Sequence, residues 1–148
     1  MDRDFAQRNT ASRERMRAIG KRLSVEELAR QIDGAWTAGA LFAHIAFWDR
    51  YVFERWSLAE RSSTRTPVAI DEVATELVNS AALPEWIALP PRESVTASWI
   101  AAEAIDRFIS SLDDEVVSEV LGEGRVRLLD RSIHRDEHLS TLETAFPP

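Results

Sequence analysis

Cysteine is absent from this 148-residue chain, which removes disulfides, thiolate metal sites and a protein thiol nucleophile together. Glycine and proline are scarce, at five and six residues, so few positions interrupt a helix. Positive charge is in the minority: 18 Lys and Arg against 25 Asp and Glu give a net charge of −7. Phosphate backbones and acidic membrane surfaces need a basic face, so neither nucleic acid nor membrane is expected as a partner. The N-terminal arginines Arg3, Arg8, Arg13, Arg15 and Arg17 are interrupted by Asp2, Asp4 and Glu14 and read as a solvated helix face. No apolar run reaches the length of a membrane span, and the opening MDRDFAQRN lacks the apolar stretch of a secretory leader. A cytoplasmic location is the expectation. Nucleotide fingerprints (GxGxxG, GxxxxGK[ST]) and the GxSxG elbow are also missing.

What is present is an ordinary globular composition, 45% hydrophobic and 29% charged. The length suits one domain, residues 1–148, with a core large enough to fold without covalent staples. Period-2 alternation is nowhere sustained, and most of the chain reads as helix. The first helix is expected from about Asp4 to Arg22, and Ser24 with Glu27 forms a capping box that restarts a short one carrying Leu28 and Ile32. Asp33-Gly34 then marks a turn. Thr37 is a natural N-cap for the second long helix, which runs to about Arg61 with Leu41, Ile45, Trp48, Val52 and Trp56 on one broad face. Residues 61–91 form an irregular crossover containing a helix over 71–80, broken by Pro84, Pro90 and Pro91. The third helix is expected over 94–112 and the fourth over 129–145, with a Gly122–Gly124 turn and a brief strand at Val126–Leu128 between them. Four long amphipathic segments and one long crossover define an all-α, four-helix bundle.

Three histidines carry the chemistry. His134 and His138 stand four apart on the last helix, which puts both imidazoles on one face, one turn apart. His44 lies in ALFAHIAFWDR at the edge of the apolar arc, beside Leu41, Trp48 and Tyr51. Three neutral nitrogens with an open position make a catalytic zinc-type set. Spacing alone leaves a second reading open, because histidines on apolar faces also serve as core residues and pairs four apart also occur on solvated helices. HRDEH fits the HxxEH peptidase pattern, but only ten residues follow His138, too few for the downstream carboxylate ligand. A di-iron carboxylate site needs Glu-x-x-His motifs, and neither Leu41 nor Arg131 supplies the carboxylate. Tryptophans 36, 48, 56, 86 and 99 are core or pocket-lining candidates, with Trp48 and Tyr51 placed to wall a ligand cavity.

The segments AWTAGALFAHIAFWDR (35–50) and DRSIHRDEHLSTL (130–142) resemble the DinB-like (YfiT/DinB) superfamily of bacterial four-helix bundles. Trp36, Thr37, His44, His134 and His138 match its pattern in order and spacing. The resemblance implies an up-down-down-up bundle, one divalent metal ion (zinc or nickel) on His44, His134 and His138, and a homodimer. It also implies transferase or isomerase chemistry with a low-molecular-weight thiol such as bacillithiol, mycothiol or glutathione. No residue here matches a thiol-recognition motif. A metal-activated water for hydrolysis, or a non-catalytic bundle that binds a small molecule, are the alternatives. Glu137, and behind it Asp130 and Tyr51, are candidate proton carriers, although residues of these types more often serve as surface or supporting groups. Phe42, Phe53 and Trp86 fall off the inward stripes and are expected to cover a dimer partner.

Overall fold

The computed structural model describes residues 2–148, and its regular elements are helices apart from one two-stranded ribbon. Helix α1 covers Asp4–Arg22 and the one-turn α2 covers Val25–Leu28, opened by the Ser24–Glu27 capping box. Strands β1 (Gln31–Asp33) and β2 (Trp36–Thr37) pair antiparallel, with Gln31 opposite Thr37 and Asp33 opposite Trp36. Ile32 therefore sits in a strand and not in the short helix. Gly34, at φ +54°, makes the turn that a side chain would strain.

Helix α3, Ala38–Arg61, begins where Thr37 Oγ1 accepts the Ala40 N–H at 3.0 Å. Helix α4, Glu72–Ala88, is longer than expected: it passes through Pro84. Proline costs a helix interior about 3 kcal/mol, yet Trp86 beyond it is buried against Ala40 and Ala43 of α3. That anchorage outweighs the local penalty. Helix α5, Pro91–Ser110, starts three residues early because Pro91 occupies the first helical turn, where its missing N–H costs nothing.

No helix is expected over 113–121, but α6 fills Asp114–Gly122. Asp113 caps it by accepting the Val116 N–H at 2.9 Å, and Val117 and Val120 bury its inner side. Val126–Leu128 is a 3-10 turn and not a strand. Helix α7 covers Ser132–Ala145, three residues later than expected. Its first turn is capped from a distance: Asn9 Oδ1 on α1 accepts the N–H groups of Arg131 (2.8 Å) and Ser132 (3.1 Å).

Helix α3 packs on α4, α5 and α7, while α1 lies against α5 and α7. One core cluster gathers Met16, Leu28, Phe42, Ile45, Leu139 and Leu142; a second gathers Phe5, Trp56, Ile105, Val117 and Leu129. Gly20 lets α1 approach α5, since a Cβ there would come within 2.5 Å of Val95 Cγ1. Phe42 is fully buried, Phe53 is half-buried on the second cluster, and Trp86 is buried under α3. Phe42 and Trp86 are thus covered within the chain, while Phe53 packs on the second cluster with part of its ring left accessible. The placement of Phe42 and Phe53 off the expected stripe reflects the packing of α3 against three helices.

Candidate metal centre

The α3 and α7 faces meet at the three histidines. His44 Nε2 lies 3.0 Å from His134 Nε2 and 3.1 Å from His138 Nε2, and the last two are 3.1 Å apart. His44 is buried; His134 and His138 are partly so. A neutral imidazole nitrogen carries either a proton or a lone pair, so of three nitrogens at least two are of one kind. One contact of the triangle must then set like against like. A cation receiving three lone pairs removes that conflict, and all three side chains are of the type that ligates divalent metals. The residues could hold a metal ion.

Burial keeps these rings neutral. His44 is pushed down to about 3, first by desolvation and then by the neighbouring His138. His134 is held well below the ordinary histidine value by desolvation, with Arg131 adding to it. His138 is lowered by desolvation, partly opposed by Glu137. With Nε2 as the lone pair, the protons sit on Nδ1, and those of His44 and His134 are buried without an acceptor among the described residues. Metal-binding histidines usually have one. Here aromatic edges orient His44 instead: Trp36 and Trp86 each lie 5.2 Å from its ring at near-perpendicular angles. The ribbon β1–β2 delivers Trp36 and helix α4 delivers Trp86.

Behind the triad runs a buried ionic network that no motif in the sequence announces. Arg135, fully buried, donates from Nε to Asp49 Oδ2 (2.8 Å) and from both Nη atoms to Asp106 (3.0 and 2.8 Å). Arg131 donates from Nε to the other oxygen of Asp49 (2.9 Å), and Arg13 reaches Asp106 at 2.7 Å. Helices α1, α3, α5 and α7 are thus tied together next to His134. The only sequence signal was charge at inward helical positions, such as Asp49 one residue after Trp48.

A cavity of about 790 Å³ opens from the triad. The structure places Trp48, Tyr51 and Glu137 on its wall. Trp48 is held by donating from Nε1 to Asn79 Oδ1 at 2.7 Å. Asp130 is not on this wall: it is buried, paired with Arg8 at 2.8 Å and bound to Ser132 at the start of α7. Trp56 is in the core, and Trp99 lies beneath the Arg17 guanidinium, 4.6 Å from its centroid.

An all-helical protein that gathers three histidines from two helices beside an open cavity is a candidate metalloprotein. The DinB superfamily matches residues 8–129, and the chain belongs to it. The match covers His44 and stops short of His134 and His138, whose part in the site is carried by the geometry. Neither the curated proteins nor the solved structures gave a match. No helix among the described residues is long and apolar enough to cross a membrane.

Proposed function

We propose that this protein is a metal-dependent enzyme that transfers a low-molecular-weight thiol to, or uses it to isomerise, a small organic substrate. His44, His134 and His138 hold one zinc or nickel ion within a four-helix, up-down-down-up bundle. The observation that carries the reading is the triangle of Nε2 atoms at 3.0–3.1 Å opening onto the cavity. A structural metal site is closed by its fourth ligand, and no further Cys, Asp, Glu or His joins this cluster among the described residues.

Bound there, a divalent cation supplies the Lewis acidity that favours the thiolate form of a thiol at neutral pH. The chain has no cysteine, so the sulfur comes from a cofactor such as bacillithiol, mycothiol or glutathione. The cavity has room for such a molecule beside a substrate. Glu137, exposed on the wall one residue before His138, takes the thiol proton. Trp48 and Tyr51, with ring centroids 5.0 Å apart, form the apolar wall that positions the substrate and excludes water. In a substitution, the sulfur–carbon bond forms as the leaving group departs with its electron pair. The working unit is a cytoplasmic homodimer.

The test combines elemental analysis with turnover of a chlorinated nitrobenzene by each of the three thiols, with and without added zinc or nickel. Metal-dependent conjugate formation with one thiol is expected. Stoichiometric metal with no turnover of any thiol would leave a non-catalytic binding protein. Hydrolysis of an activated ester by the loaded protein alone would point to metal-activated water instead.

A further inference from the structure

The chain is acidic overall, yet one end of its main cavity is lined by four arginines, Arg55, Arg125, Arg127 and Arg131. Two of them are spoken for. Arg131 donates to Asp49 and to the Arg127 carbonyl, and Arg125 is tied to Glu123 and to the Pro67 carbonyl. The other two carry charge without an anion. Arg55 is half-buried, donates from Nη2 to the Val68 carbonyl at 2.6 Å, and has a buried Nε with no partner among the described residues. Arg127 makes no side-chain hydrogen bond or ion pair among them. A buried donor left unmatched costs stability and marks a place where a group is missing. Burial lowers the Arg55 pKa, and Arg125 adds to it, with no carboxylate opposing. The cavity does contain carboxylates, Asp33, Glu72, Glu76 and Glu137, but all are exposed and none pairs with these arginines.

The arrangement has a direction. His44, Trp48, Tyr51 and Arg55 all line the cavity at helical spacing, so they form one stripe along α3. Eleven residues from His44 to Arg55 span about 16 Å of helix at a rise of about 1.5 Å each. Helix α7 and the turn before it supply the opposite wall in reverse order, His138, His134, Arg131 and Arg127. Both walls therefore run from histidine, through aromatic rings on α3, to free guanidinium.

We propose that the cavity takes a ligand with a carboxylate at one end, docked on Arg55 and Arg127, and an apolar middle lying on Trp48 and Tyr51. The guanidinium fork matches a carboxylate geometrically and is less strongly hydrated than an ammonium, so it docks an organic acid at low desolvation cost. Placing the far end of that ligand at the triad rests on the metal-centre reading above. The carboxylate subsite does not.

The test is calorimetric titration of 4-phenylbutyrate and its neutral isostere 4-phenylbutyramide into protein as purified and after chelation. The carboxylate is expected to bind about tenfold more tightly than the amide, the scale of one charge-assisted contact. Arg55→Met and Arg127→Met should each reduce that preference while leaving amide affinity unchanged. Arg127 is exposed and its side chain makes no hydrogen bond or ion pair among the described residues, so Arg127→Met tests the subsite even if Arg55→Met disturbs the segment around Val68. Equal affinity for acid and amide, or no binding of the acid, overturns the proposal; so does inorganic phosphate displacing the acid at lower concentration than the acid itself binds. A lost preference with normal metal content removes only this subsite. A preserved preference in protein that never binds metal leaves the subsite and removes the metal reading.

Discussion

Arg135 donates from Nε to Asp49 Oδ2 across 2.8 Å, one residue beyond His134 on α7 and five beyond His44 on α3. Both side chains are fully buried. The contact fixes how α7 is rotated against α3, and that rotation aims the histidines at one point. With Asp106 completing the neutralisation of Arg135, the network trades desolvation for register.

Breaking it from one side should be costly. Arg135→Met leaves Asp49 with only Arg131 and Asp106 with only Arg13. Each carboxylate keeps one arginine, so the loss should be smaller than the about 3–5 kcal/mol of a buried charge left with no partner, but the urea midpoint should still fall. Metal content should fall with it. An Arg135→Met protein with unchanged midpoint and full metal content would show that the network neither stabilises nor positions the site.

Replacing His44, His134 or His138 singly by Ala should reduce metal occupancy sharply, because two ligands remain of three. Inductively coupled plasma mass spectrometry reads this directly. Occupancy at the wild-type level in any one variant removes that residue from the centre. Trp86→Ala should act more mildly, loosening the His44 ring it packs against at 5.2 Å and raising the metal Kd while the three ligands stay in place.

The depressed histidines predict how metal-free protein responds to pH. His44 titrates near 6.5 when unfolded and at about 3 when folded, so between those values the unfolded chain binds the extra proton. Stability is therefore full above about pH 6.5 and is lost as pH falls towards 3. At pH 5, His44 alone accounts for a loss of roughly 2 kcal/mol, and His134 and His138 act in the same direction. Denaturant melts at pH 7.5 and 5.0 check it. His44→Phe should flatten the dependence, and an equally steep wild-type and variant profile would place its origin elsewhere. Because the folded rings have lowered pKa values, protons should begin to compete with the metal at lower pH than they would for free histidine.

Chelation should lower the melting temperature while leaving the far-UV helical signal intact at room temperature. The two main core clusters bury many large side chains, each contributing about 1.5–3 kcal/mol. The triad joins only α3 and α7. Loss of helical signal on chelation would make the ion a folding element and favour a structural role for it.

Much of this protein was fixed by local pattern. The Thr37 cap, the apolar face of α3, the Ser24–Glu27 box and the four-residue spacing of His134 and His138 all follow from periodicities that neighbouring residues impose on one helix. The convergence of three histidines was legible for the same reason: each lay at the edge of an inward arc. Tertiary structure decided what local pattern does not encode. Asp49 finds its counter-charge 86 positions along the chain in Arg135, and nothing near Asp49 announces that partner. Helix α4 runs through Pro84 because Trp86 is anchored on a different helix, and α7 starts at Ser132 because Asn9 caps it from α1. In each case a contact between distant elements outweighs a local preference of a few kcal/mol. Burial, which only packing creates, then lowers the pKa of three histidines that could hold a metal ion and leaves Arg55 without an anion.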